Sequence, residues 1–307
     1  MIDYLIGVDG GGTGTRVRLA RGDGAGAWQE LAQGAGGPSG LGLGVERAWT
    51  AVRGAVQAAF DAAGLAQPAP RQVAIGLGLA GVHNRQWAAD FVAGDPGYAA
   101  LVLETDAFTT LMGAHDGAPG AIVAIGTGSV GEALLADGAR REVGGWGFPA
   151  GDEAGGGWIG LRAVNHLQQV LDGRRPASPF AHDLTAACGG GNGCRDTVQA
   201  WLAQANQTAY AGLAPLVLRH ADDPVAHTIL LEAGREAANI ARALDPQGAL
   251  PLALCGSLGA ALRPWLPPAL AARATPPRGD SAQGALRMAA LYLTRHASAP
   301  GRPEARQ

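Results

Sequence analysis

Short apolar runs ended by glycine alternate along this chain with longer stretches of helical periodicity. Residues 4–8 form a compact apolar run closed by Asp9 and three glycines, the pattern of a buried strand entering a tight turn. Residues 17–20 and 27–33 continue as strands, which makes an antiparallel meander. The spacing then predicts a helix over 45–63 with Gly64 as its stop, a strand over 73–79, a helix over 85–92 and a strand over 100–103. A further helix begins after Asp106 and runs to about His115. The pattern then restarts. Strands at 121–125, 131–135 and 141–143 surround a second Gly/Thr turn, and the chain beyond reads as mostly helical, at 159–171, 196–205, 211–221 and 224–244. A last strand at 252–255, a helix at 281–294 and a Pro/Arg/Ala-rich tail from 297 complete the pattern.

The restart is the informative feature. "LIGVDGGGTGTRVRL" and "IVAIGTGSVGEALL" are both strand, Gly/Thr turn, strand, and each opens one half of the chain. Two similar α/β domains with a cleft between them are expected. The first takes in residues 1–116, rejoined by the helix at 281–296; the second takes in 117–280; a flexible tail covers 297–307.

Composition narrows the chemistry. The chain has 307 residues and a hydrophobic content of 47%, enough to bury one large core or two moderate ones. Its 23 basic and 26 acidic residues leave a formal net charge of -3, which gives no electrostatic footprint for nucleic acid or an anionic membrane. Every basic residue is Arg, so a Schiff-base lysine and a lysine-bearing P-loop are both excluded. Cys188, Cys194 and Cys255 lack the number and spacing of a disulfide framework or a zinc site, and the histidines show no metal spacing. With no signal peptide and no apolar run of the ~18 residues a membrane span needs, a soluble, cytoplasmic protein is expected.

Four segments carry candidate chemistry. In Asp9-Gly10-Gly11-Gly12-Thr13-Gly14-Thr15-Arg16 a glycine-rich hairpin can turn backbone N–H groups toward an anion. Thr13 and Thr15 add hydroxyl donors there, and Asp9 is placed to orient the waters of a Mg²⁺ ion. Gly126-Thr127-Gly128-Ser129 is the matching element of the second half, and two such loops would hold a nucleotide's phosphates from opposite sides. Asp106, at a strand-to-helix junction, reads either as a helix N-cap or as a general base for an attacking hydroxyl. The segment from Gly144 to Glu153 combines Trp146, Asp152 and several glycines, a set that suits a sugar's hydroxyls and its C–H face. For Trp146, core packing is an equal alternative. Gly256-Ser257 would let backbone approach a flat base.

Together these motifs resemble the N-acetylglucosamine kinase and BadF/BadG group of the sugar kinase, hsp70 and actin superfamily, over nearly the whole chain. "DGGGTGTR" is similar to the group's first phosphate loop, "GTGS" to its second, "CGSLG" to its adenosine-binding turn and "GGWGFPAGDEAGGGWIG" to its hexosamine segment. The resemblance implies two ribonuclease-H-like (actin-like ATPase) domains that close over their substrates, ATP with Mg²⁺ as cofactors, and phosphorylation of the 6-hydroxyl of N-acetylglucosamine. It implies Asp106 as catalytic base and Asp9 near the metal through water. Gly11, Gly12, Thr13, Thr15, Gly126, Thr127, Gly128, Ser129, Gly256 and Ser257 become nucleotide contacts. Ser39, Gly145, Trp146, Gly147 and Asp152 become sugar contacts, and the group often forms homodimers. One departure stands out: Gly40 occupies the place where related kinases often carry an Asn that contacts the sugar. Glucosamine kinase is the near alternative. A dehydratase activator with an iron–sulfur cluster and a non-catalytic sensor are the more distant ones.

Overall fold

The computed structural model describes residues 2–22, 28–189 and 194–297. In chain order its elements are β1 (Tyr4–Gly10), β2 (Thr15–Gly22), β3 (Trp28–Gly36), α1 (Val45–Ala62), β4 (Val73–Leu79), α2 (Arg85–Ala93), β5 (Ala100–Glu104) and α3 (Asp106–Ala114). There follow β6 (Gly120–Ile125), β7 (Ser129–Leu134), β8 (Arg140–Gly144), α4 (Gly156–Leu171), α5 (Pro179–Ala187), α6 (Arg195–Leu202), α7 (Gln207–Ala211) and α8 (Ala214–Arg219). The chain ends with α9 (Pro224–Leu244), β9 (Leu252–Cys255), α10 (Gly259–Leu262), α11 (Pro268–Arg273), β10 (Ala274–Thr275) and α12 (Ser281–Ala297). The chain separates into two compact units: one runs to Ala118 and resumes at Pro277, and the other is Pro119–Pro276.

Each unit holds a five-stranded sheet, ordered β3-β2-β1-β4-β5 in one and β8-β7-β6-β9-β10 in the other. In both, the first three strands form an antiparallel meander and the fourth and fifth join parallel to the first. The two sheets therefore share one strand order and one set of strand directions, the ribonuclease-H-like arrangement expected of each half.

In the first unit the apolar residues of β1 and β2 alternate toward α1. Ile6, Val8, Val17 and Leu19 pack with Val52, Val56 and Phe60 in one buried cluster. Burial of a side chain of this size stabilises by about 1.5–3 kcal/mol relative to exposure. The opposite face receives α12. A Cβ on Gly7 would stand 2.1 Å from the Ala282 carbonyl oxygen, and one on Gly76 the same distance from that of Ala285. Only glycine admits a helix so near the sheet. Because β4 is covered on both faces, all seven of its residues are buried.

In the second unit the Ala-rich α9 packs on β6, β7 and β8 while α4, α5 and α8 complete the core. Several elements depart from the sequence pattern. α4 begins at Gly156 rather than at Ile159, because the Gly156 and Gly157 N–H groups donate to the carbonyls of Gly126 and Thr127 at 2.8 and 2.9 Å. A glycine pair with poor helix propensity is thus capped by the turn before it. The helix expected over 211–221 is the shorter α8, which starts at Ala214 ahead of Pro215, and α7 before it was not expected. α5, started by Ser178 and Pro179, was not expected, nor were α10, α11 and β10. Ala27 and the tail beyond 297 lie outside the described residues.

Candidate active site

The first group of functional residues lies where β1, β4 and β5 end on the same side of their sheet. The parallel register places Asp9 beside Gly78, and Gly78 beside Glu104. Asp106 follows two residues later. Thr105 caps α3: its Oγ1 accepts the Phe108 N–H at 3.1 Å. This corrects the capping alternative for Asp106, which is the first helical residue and accepts the Ala107 N–H at 3.0 Å. Its side chain is partly buried. Burial, and then the neighbouring Asp9 carboxylate, raise the Asp106 pKa; backbone hydrogen bonds and His83 pull weakly the other way. His83, expected from the sequence to be only a structural or surface histidine, thereby joins Asp9 and Asp106 at this edge. The Asp9 Oδ2 receives Arg16 Nη2 at 2.6 Å and Nε at 3.0 Å, from a guanidinium that is itself 68% exposed.

The turn after β1 is braced from beneath. The Gly11 carbonyl accepts from the Ser39 and Gly40 N–H groups at 3.1 and 3.0 Å. Thr15 Oγ1 donates to the Gly37 carbonyl at 2.6 Å and lies 2.7 Å from Ser39 Oγ. Thr15 and Ser39 are buried, and Ser39 has no exposed surface, so in this structure neither hydroxyl faces a ligand. Both hold the turn in shape. Gly12 and Thr13 are exposed, and no atom lies within 4 Å of where a Cβ on Gly11 or Gly12 would stand. That is room for a phosphate against bare backbone.

The second group lies in the other unit. The turn 126–128 closes on itself through Gly126 N–H to Gly128 O at 2.9 Å, and it holds the first turn of α4 as described above. Ser129 opens β7, where its hydroxyl donates to the Glu153 carbonyl. Gly256, at φ +80°, lets the turn after β9 meet β6, and Leu258 N–H donates to Ile125 O at 2.9 Å. The Ser257 hydroxyl comes within 3.8 Å of the position a Gly126 Cβ would take. Both expected nucleotide elements of this unit are therefore adjacent.

The segment 144–155 runs back over the same turn. Gly145 N–H donates to Ser129 O at 3.1 Å. Trp146 is 86% exposed, so the core-packing alternative for it fails. Asp152 is 7% exposed and adopts φ +59°, a left-handed conformation uncommon for a residue with a side chain. Its Oδ1 accepts the Gly147 N–H at 3.3 Å and its Oδ2 accepts Gln207 Nε2 at 2.6 Å. Gln207, on α7, carries no sequence signal of this role; only its predecessor Asn206, which caps α7, is legible as a helix start.

Elsewhere, burial pushes the Cys188 thiol up to about 11 and the Cys255 thiol to about 12. Among the described residues no group of His, Cys, Asp or Glu could hold a metal ion on its own, and no helix is long and apolar enough to cross a membrane.

The profile of the BadF/BadG/BcrA/BcrD ATPase family matches residues 6–252. The glucosamine kinase GspK of Vibrio cholerae is 32% identical over 299 residues, covering 94% of this chain and 96% of that protein. The N-acetylmuramic acid/N-acetylglucosamine kinase of Clostridium acetobutylicum is 27% identical over 185 residues, 59% of this chain and 58% of that one. A crystal structure from Chromobacterium violaceum, provisionally named an N-acetylglucosamine kinase, superposes with a TM-score of 0.90 at 52% identity, over 94% of this chain and 99% of that one.

Proposed function

The chain belongs to the BadF/BadG/BcrA/BcrD ATPase family, and from that premise we propose that it is an ATP-dependent hexosamine kinase with Asp106 as general base. The observation that carries this reading is the state of the Asp106 carboxylate. Thr105 has taken over the cap, Asp9 stands at the same sheet edge, and the pKa is raised toward the range in which a base works. In the proposed reaction the sugar's 6-hydroxyl oxygen forms a bond to the γ-phosphorus. The bond from that phosphorus to the bridging oxygen breaks, ADP leaves with the electron pair, and the hydroxyl proton passes to Asp106. Such a transfer asks the protein mainly for positioning and charge compensation.

Roles are assigned from the exposure of the turns and the motif each residue belongs to. Gly11, Gly12 and Thr13 are assigned to phosphates, as are Gly126, Thr127 and Gly128, with Gly256 and Ser257 at the base. Thr15, Ser39 and Ser129 shape these turns from within. Gly145, Trp146, Gly147 and Asp152 are assigned to the sugar, the indole covering its C–H face. Asp9 fits Mg²⁺, since a single partly exposed carboxylate is the hard oxygen donor that this ion takes alongside its waters and phosphate oxygens. When bound, the ion supplies charge neutralisation for the phosphates. The homodimer belongs to the same reading, and light scattering of the purified protein checks it.

We rank N-acetylglucosamine first as acceptor, on the segment 144–153. A second reading, glucosamine, is favoured by the name of the Vibrio relative matched over almost its whole length, and by Gly40. A panel of sugars with ATP and Mg²⁺, followed by ADP release, tests both. Turnover with an amino sugar is expected; turnover with none would end the proposal.

A further inference from the structure

Three glycines of the second unit clear a channel that a single side chain fills. A Cβ on Gly157 would stand 2.9 Å from Gln207 Cγ, and one on Gly128 would stand 3.1 Å from Gln207 Nε2 and 2.3 Å from Asp152 Oδ2. Gly160 brings the backbone of α7 onto α4, since a Cβ there would meet the Tyr210 carbonyl oxygen at 1.9 Å. Asn206 fixes the start of α7 by accepting the Ala209 N–H at 3.0 Å. The Gln207 amide is thus delivered to Asp152 by packing on one side and a cap on the other. Asp152 needs such support: it is buried, its backbone is left-handed, and its second oxygen has only the longer 3.3 Å bond from Gly147 N–H.

We propose that Gln207 is a positioning residue for sugar recognition: by donating to Asp152 Oδ2 it aims Oδ1 at a sugar hydroxyl and keeps the carboxylate seated against Gly128. The inference rests on the hexosamine-kinase reading above. It ties the sugar segment to α7 through one hydrogen bond to Asp152, so loss of that bond acts on sugar affinity before it acts on ATP. A hydrogen bond to an ionised group buried from water is among the stronger ones, and its removal leaves the carboxylate's oxygen without a donor.

The test compares the wild type with Gln207→Ala, Gln207→Glu and Gln207→Asn by steady-state kinetics, varying sugar and ATP separately. Thermal melts confirm folding. Gln207→Ala is expected to raise the sugar KM on the order of 10-fold or more, with the ATP KM changed less than about 2-fold. Gln207→Glu sets two carboxylates against each other, and only when one holds a proton does a donor remain. Its sugar KM is therefore expected near the wild-type value in mild acid and to rise steeply toward pH ~8, while the wild type shows no such rise. Gln207→Asn, one methylene shorter, should resemble Gln207→Ala. Sugar KM values within about 2-fold of wild type for every folded variant would overturn the inference, as would equal losses for sugar and ATP, which mark a merely structural role. A wild type inactive on every amino sugar would instead bring down the functional reading on which it rests.

Discussion

On the proposed reading Asp106 is the general base, and its surroundings make pH a direct probe of that role. The base must be ionised to accept a proton, and burial together with the Asp9 charge holds its pKa above the ordinary carboxylate range. kcat/KM is therefore expected to fall, as pH is lowered, at a higher pH than an ordinary Asp would give. Asp9→Asn removes one raising influence and should shift that limb to lower pH, measured in the pH profile; an unmoved limb would contradict the electrostatic account. His166 offers a second probe, of stability. It is buried against Phe180, its Nε2 has no partner among the described residues, and burial lowers its pKa. The unfolded chain then binds the extra proton more readily, so stability is lost as pH falls below about 6.5. His166→Leu should flatten that acid-side loss in denaturant titrations. At this scale the sequence was partly legible. A Thr-Asp pair before a helix does not say which residue caps it, and only the geometry frees Asp106 for other work. Gln207 was not legible at all, because its partner lies 55 positions away.

At the scale of elements, the turns and their supports decide which substitutions are tolerated. Gly40 has φ −58° and ψ 132°, and a Cβ there would make ordinary contacts of 3.5–3.6 Å with Gly11 and Gly12. Gly40→Ala is therefore expected to stabilise by about 0.4–1 kcal/mol, through the unfolded chain. Gly128→Ala drives a Cβ into the Asp152 carboxylate and is expected to cost about 1–3 kcal/mol, together with most of the activity. Denaturant midpoints on the two variants check the opposite signs. α12 is seated by the same physics: Gly7→Ala should destabilise by about 1–3 kcal/mol or more, since the obstacle is backbone rather than a flexible side-chain end. The buried strands β1, β4, β6 and β9 were read well because each is a short apolar run, while the two-residue β10 leaves no such pattern. The helices of the second unit were read less well, because α4 begins on two glycines that only a neighbouring turn can cap, and because α7, α10 and α11 are too short for a helical period to show.

For the whole molecule, the recurrence of one strand order in both units accounts for the twin Gly/Thr turns: each sits at the β1–β2 or β6–β7 hairpin of its own sheet. A turn at that point exposes backbone beside the ends of the parallel strands, where open α/β sheets place their ligands. The repeat was visible in the sequence because both hairpins keep the same alternation of apolar strand and glycine. Which sugar is taken was not, because no motif by itself separates two amino sugars; on the proposed reading that choice falls to contacts such as those of Trp146 and Asp152. The most direct measurement is the rate of 6-phosphate formation from ATP and N-acetylglucosamine or glucosamine by the wild type and by Asp106→Asn, with the product identified by NMR. The account predicts an amino-sugar 6-phosphate from the wild type and a kcat lower by a factor on the order of 10²–10⁴ in the variant. An Asp106→Asn enzyme that keeps the wild-type kcat, or a phosphate on another hydroxyl, would contradict it.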